Sequence, residues 1–209
     1  MPWVVKLGGS LADSDRLPAW LAAIAAGAGR IVLVPGGGPF ADAVRASQAR
    51  WGFDGHTAHR MALLAMHQYG LLLAGLRPEL VPVDSESGIR AALAAARVPV
   101  WLPEPMALAA PGLEASWDLS SDSLAAWLAG RLNAERLVLV KSVEAPEPTP
   151  DALAAAGVVD PLFPAHARTA GCALSCLGPD APARLERALR NGRMPGPPLT
   201  TADEGQRHG

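Results

Sequence analysis

An α/β fold, with an open and mostly parallel sheet covered by helices on both faces, is what this 209-residue sequence predicts. Three features predict it. Short apolar runs with strand character alternate with longer stretches of helical period along most of the chain. One such run, Leu137–Val140, is apolar without interruption, as a strand buried on both faces requires. Glycine clusters, Gly8-Gly9-Ser10 and Gly36-Gly37-Gly38, stand directly after the first two runs, at the strand ends where open sheets bind ligands.

In order, Trp3–Leu7 is the first strand, followed by the Gly8–Ser10 turn and a helix near Asp15–Ala28. Ile31–Pro35 is the second strand, and a helix follows from about Phe40 to Arg50. A long helical pattern occupies Thr57–Leu76. Glu79–Val83 is a short strand, Glu86–Ala96 a helix and Val98–Leu102 a strand. Ser116–Ser142 then supplies a helix opening at Ser120–Asp122 and the strand that ends at Lys141. Leu124, Leu128 and Leu132 give that helix one apolar face. Helical turns at Ala152–Ala156 and Pro161–Ala170, a strand near Cys172–Leu177 and a helix over Ala181–Arg190 complete the pattern. The Gly- and Pro-rich stretch 192–209 is expected to be a flexible tail after one domain over 1–191, and Glu144–Asp151 an unstructured loop.

Composition excludes several classes. Half of the residues are hydrophobic, enough core for a single domain. A net charge of −2 offers no field to attract nucleic acid or a membrane surface. No apolar run is long enough to span a bilayer and no signal peptide is visible, so a soluble, cytoplasmic protein is expected. Cys172 and Cys176, the only cysteines, fit buried thiols better than a disulfide or metal pair. Trp residues are dispersed and expected in the core or at interfaces.

Of eighteen Lys and Arg residues, only Lys6 and Lys141 are lysine. Both fall near strand ends, where a compact ammonium does what a planar guanidinium does not. Asp122 sits at a helix start, where the dipole favours its charge, and Ser120 or Ser121 can cap that helix. Taken alone, a capped helix and a solvated lysine explain this stretch more simply than a phosphate site. Yet Lys6, both glycine clusters and Lys141 all belong to one sheet edge, and N–H groups ahead of a helix can cradle phosphate oxygens.

Two nucleotide motifs fail. No glycine precedes a lysine, so there is no P-loop. Gly36-x-Gly38-x-x-Ala41 matches the dinucleotide fingerprint, but the acidic residue it needs about twenty residues on is missing. His56, His59 and His67 lack the spacing and partners of a zinc site and are expected to be solvated.

Together, VVKLGGSL, VPGGGPFADAV and SSDSLAAWLAGRLNAERLVLVKS resemble the amino acid kinase family, over most of residues 3–191. PGGGPFADAVR, AHRMALLAMHQYG, LPEPMAL and SWDLSSDSLAAWLA are similar to its methanofuran-biosynthesis branch, which phosphorylates an aminomethylfuran-methyl phosphate to the diphosphate. The resemblance implies a three-layer α/β/α sandwich and a homo-oligomer, with ATP and Mg2+ as cofactors. It implies Lys6 and Asp122 as catalytic residues, and Gly8, Gly9, Ser10, Lys141, Ser142 and Val143 on the nucleotide side. Gly36, Gly37, Gly38, Ser120 and Ser121 would hold the acceptor, and no protein metal ligand is implied. Other acceptors (isopentenyl phosphate, UMP, a carboxylate) or a degenerate oxyanion-binding storage or regulatory subunit are the alternatives. Lys141-Ser142-Val143-Glu144-Ala145-Pro146 departs from the family's nucleotide loop. Its late lysine is missing from VVDPLFPAHARTAG, so either Arg168 or Lys141 would substitute or the charge is lost.

Overall fold

A computed structural model of the chain describes residues 1–144 and 148–201. The expected elements form in the expected order. β1 (Trp3–Leu7) leads through a 3-10 turn (Gly9–Leu11) to α1 (Leu17–Ala25), then to β2 (Ile31–Pro35), α2 (Gly38–Trp51) and α3 (Gly55–Leu76). β3 (Leu80–Val83), α4 (Glu86–Ala94), β4 (Val98–Trp101) and α5 (Glu104–Leu108) follow. The second half is α6 (Ser121–Arg131), β5 (Arg136–Val140), α7 (Pro150–Ala155), α8 (Phe163–Thr169), β6 (Ala173–Leu177) and α9 (Pro182–Asn191).

The strands make one sheet in the order β3-β4-β2-β1-β5-β6, with every paired strand parallel. The chain builds leftward from β1 through β2, then returns to add β5 and β6 on its other side. β1 and β5 therefore flank the point where strand order reverses, the place where open α/β sheets leave a crevice for ligands.

Side chains alternate across each strand and divide the core in two. Val4, Val32, Val34, Leu137 and Leu139 pack with Leu124, Leu128 and Phe163 on the face covered by α6 and α8. Val5, Leu7, Leu33, Val138 and Val140 pack with Trp20, Ile24, Leu185 and Leu189 on the face covered by α1 and α9. α3 serves both, through Leu63 and Met66 on the first side and Tyr69 and Leu73 on the second. Helices on both sides of a parallel sheet make the three-layer α/β/α sandwich.

Three local details differ from the sequence expectation. α1 is shorter at both ends, and the turn after it carries Gly29 at φ +80°, a conformation that L side chains rarely adopt. α5 is an additional element: its first N–H, that of Glu104, donates to Nε2 of His67 at 2.9 Å, a cap supplied from α3. Residues 192–201 are packed rather than loose. Pro198 bridges to Ser175, the Leu199 N–H donates to the Leu174 carbonyl, and Leu199 is buried. Of the Pro-rich loop, 145–147 lie outside the described residues, as do 202–209 of the tail. Among the described residues no helix is long and apolar enough to cross a membrane.

Candidate active site

The register of β1 and β5 brings the two lysines together. Lys6 pairs with Leu139 and Leu7 with Val140, so Lys141 follows one residue beyond the ladder. Period two places Lys6 on the same face as Val4, and Lys141 on the same face as Leu139, the face roofed by α6. The first turn of α6 lowers Asp122 between them. Lys6 Nζ lies 2.8 Å from Asp122 Oδ1, and Lys141 Nζ donates to Oδ2 at 2.7 Å. The Lys6 contact is a close ion pair off the hydrogen-bond axis, so Oδ1 has no aligned donor.

This triad is buried: Lys6 is 4% and Asp122 3% exposed. Burial pushes the Asp122 carboxyl up, but Lys6 and Lys141 together outweigh it and hold the acid below the usual carboxylate range. Burial and then repulsion from Lys6 bring Lys141 below the ordinary lysine value, against the pull of Asp122. With all three ionised, two ammoniums against one carboxylate leave one positive charge in a desolvated crevice. That surplus attracts anions and has no counterion within the triad.

Two cavities lie beside this triad, and only the first is lined by its lysines. One, of about 400 Å³, is lined by Lys6, Gly8, Gly9, Ser10, Lys141, Ser142 and Val143, with the 156–158 turn opposite. The other, of about 240 Å³, is framed by Gly37, Gly38, Arg45, His59, Trp117, Ser120 and Ser121. Gly9 and Ser10 line both. Ser10 Oγ donates to Ser142 Oγ at 2.8 Å, tying the loops after β1 and β5.

The glycine loops interlock. A Cβ on Gly9 would stand 2.3 Å from the Gly38 nitrogen, and one on Gly36 would stand 2.4 Å from the Gly9 nitrogen. Gly36 thus lets the two backbones approach, while Gly37 and Gly38 line the smaller cavity. Gly9→Ala should destabilise the fold by about 1–3 kcal/mol, the usual cost of overpacking, because the clash is with backbone. Thermal or urea unfolding reads this directly, and an unchanged midpoint would show that the loops separate freely.

Other expected residues are placed differently. Ser120 lines the smaller cavity, but its hydroxyl donates to Asp160 Oδ2 at 2.7 Å and makes no side-chain cap on α6. The cap comes from Asp160, forty residues on, which accepts from the backbone N–H groups of Ser120 at 3.1 Å and Ser123 at 3.0 Å. His59 is buried in the wall of the smaller cavity rather than solvated, and burial lowers its pKa, leaving it neutral near pH 7. His67 is likewise occupied, as the acceptor for Glu104 N–H. Arg168 pairs with Asp151 at 3.1 Å and lines neither cavity, whereas Lys141 lines the larger one. Cys172 and Cys176 are free thiols, each pushed up to about 11 by burial. Trp20 and Trp101 are fully buried, whereas Trp51 is exposed.

The sequence profile of the amino acid kinase family matches residues 1–145, which hold both glycine loops, both lysines and Asp122. The chain belongs to this family. It is 27% identical over 143 residues to the (5-(aminomethyl)furan-3-yl)methyl phosphate kinase of Methanocaldococcus jannaschii. That alignment covers 68% of this chain and 66% of the relative, just under two thirds of its length. Among solved structures, uridylate kinase from Archaeoglobus fulgidus superposes with a TM-score of 0.67 at 16% identity, covering 91% of this chain and 96% of that one. An isopentenyl phosphate kinase superposes with a TM-score of 0.62 at 19% identity, covering 96% and 100%. These two likenesses show the shared fold. The amino acid kinase architecture thus accounts for the parallel sheet, at whose β1 and β5 ends Lys6 and Lys141 stand.

Proposed function

We propose that this family member transfers the terminal phosphoryl group of ATP to a small phosphate monoester. The acceptor we favour is an aminomethylfuran-methyl phosphate, with its diphosphate as product. The observation that carries the reading is the pair of buried lysines, bridged by one carboxylate, lining a cavity that shares its Gly9–Ser10 wall with a second one. Phosphoryl transfer spreads negative charge over equatorial oxygens while demanding little covalent chemistry of the protein. A preorganised positive charge in a dry crevice meets that demand. Lys6 and Lys141 neutralise the phosphoryl group in flight, and Asp122 keeps both ammoniums aimed. Backbone N–H groups of Gly9 and Ser10 steady the phosphates on one side, and those of Gly37 and Gly38 the acceptor on the other, while the Gly8 N–H is held by the Val140 carbonyl. ATP, when bound, would supply the reactive phosphoryl group and Mg2+ would offset charge on its phosphates. Both oxygens of Asp122 face lysines, so Asp122 would orient the ammoniums rather than hold the metal.

The acceptor cavity supports a small substrate. Its volume of about 240 Å³ falls below the range of roughly 300–1,000 Å³ usual for drug-sized ligands. Leu63, Met66, Trp117 and Leu124 give it apolar walls suited to one small ring. The similarity to the furan phosphate kinase favours the same choice.

The test is phosphoryl transfer from Mg-ATP to a panel of the furan phosphate, isopentenyl phosphate, UMP and acetylglutamate. Selective turnover of the furan phosphate supports the full reading, and turnover of another acceptor replaces the substrate. Bound nucleotide without turnover of any acceptor makes the chain a non-catalytic oxyanion binder.

A pH signature follows from Lys141. Its lowered pKa predicts that kcat/KM falls on the alkaline side earlier than an ordinary lysine, near 10.4, would allow. Lys141→Arg, whose guanidinium stays charged, should move that limb upward whatever its maximal rate. A limb that stays in place would assign it to another group.

A further inference from the structure

We infer that Asp160 is a positioning residue: it holds the first turn of α6 so that Asp122 stands between the two lysines. The chemistry of its contacts is explicit. Oδ2 accepts from the backbone N–H of Ser120 at 3.1 Å, from the Ser120 hydroxyl at 2.7 Å and from the backbone N–H of Ser123 at 3.0 Å. Oδ1 accepts from the Ser123 hydroxyl. Ser120 and Ser123 bracket Asp122 in the chain, so one carboxylate grips both flanks of the residue that organises the lysines.

α6 has no other cap. Its N-cap residue, Ser120, makes no side-chain bond to the helix, and an uncapped first turn frays. Four bonds to a buried carboxylate remove that freedom. The anchor is itself stiff. Pro161 restricts the backbone of Asp160, Phe163 N–H donates to the Asp160 carbonyl at 3.1 Å, and Leu162 N–H donates to the Asp118 carbonyl at 3.2 Å. The turn between α7 and α8 is thereby stitched to both ends of the 118–123 segment.

Two consequences follow. The α6 N-terminus, which its dipole would otherwise make an anion site, spends two of its free N–H groups on an internal carboxylate. Phosphate recognition therefore falls to the glycine loops and lysines. The Ser120 hydroxyl proton is committed to Asp160, so toward the acceptor cavity Ser120 presents lone pairs only, suited to a donor on the substrate rather than a phosphate oxygen.

Asp160 lines neither cavity, so it should act chiefly on rate, and on acceptor binding only through the Ser120 hydroxyl it holds. Asp160→Ala is expected to lower kcat by ~10–100-fold, as loss of an outer support or a small misplacement does, with the KM for ATP within about twofold. Asp160→Asn keeps one acceptor oxygen for the two N–H groups and should recover most of the loss. The kinetic arm rests on the kinase reading, but a second arm does not. Lys6 and Lys141 are the only lysines, so isotope-labelled lysine gives one side-chain NMR signal from each, both inside the site. Asp160→Ala should move both signals and the titration of Lys141, and Asp160→Asn should return them toward wild type. Wild-type lysine signals in a folded Asp160→Ala protein would overturn the proposal, whether or not any acceptor is turned over. If Asp160→Ala does not fold, Ser123→Ala, which removes only the bond to Oδ1, replaces it. Unmoved lysine signals in a folded Ser123→Ala protein would then overturn the proposal.

Discussion

Lys6→Ala is expected to lower turnover by roughly 100- to 1,000-fold while the protein stays folded. The rate term is that of one preorganised charge lost from a phosphoryl-transfer site, on the order of 2.7–4 kcal/mol of barrier. Retention of the fold follows from the triad's arithmetic. Removing one of two lysines leaves Asp122 with Lys141, a neutral pair already joined at 2.7 Å, so no buried charge is stranded. What remains is the loss of a buried aliphatic stem, which Lys6→Met, of similar volume, restores. The measurement is transfer from Mg-ATP to the preferred acceptor, beside thermal melts of both variants. Near-wild-type turnover in Lys6→Met would remove the Lys6 charge from the mechanism.

Asp122→Asn is expected to do the opposite, harming the fold as well as the rate. Asparagine leaves two buried ammoniums facing each other without a counterion, and breaking a buried ion pair from one side typically costs about 3–5 kcal/mol. The cost should depend on pH in a definite direction. In the variant, Lys141 loses the partner that raises its pKa, so its folded-state value falls further below the unfolded value of about 10.4. The unfolded chain then binds more protons, and stability must rise with pH between those two values. The wild-type protein adds an acid limb. Asp122, lowered in the fold, contributes stability that is complete above about pH 3.9 and lost as pH falls through its folded value. Urea unfolding of both proteins at several pH values from about 6 to about 9 tests this. A stability gap that does not narrow with rising pH would show that the two ammoniums never felt Asp122.

The parts of this molecule that could be read from its sequence are those governed by local rules. Period and continuity of apolar residues set β1, β2, β5 and the α3 helix. The glycines after β1 and β2 announced close backbone approach, and two lysines among many arginines pointed to sites where charge geometry matters. What could not be read are the contacts whose partners lie far apart in the chain. α5 starts where His67 supplies a nitrogen, and α6 is held by Asp160 rather than by its own serines. Gly36 stands so close to Gly9 that the two backbones could not approach with a side chain there. Arg168 looked like a spare cation and is paired with Asp151.

The sequence by itself therefore determined the α/β alternation, the strand ends and the residue types at the site, because these depend on side-chain period and backbone freedom within a few residues. The tertiary structure decided which groups meet. Lys6 and Lys141, 135 positions apart, share one carboxylate only because β1 and β5 pair in parallel register beneath α6. The charge states follow from that meeting, since burial and a neighbour within 3 Å, not residue identity, decide how firmly a proton is held.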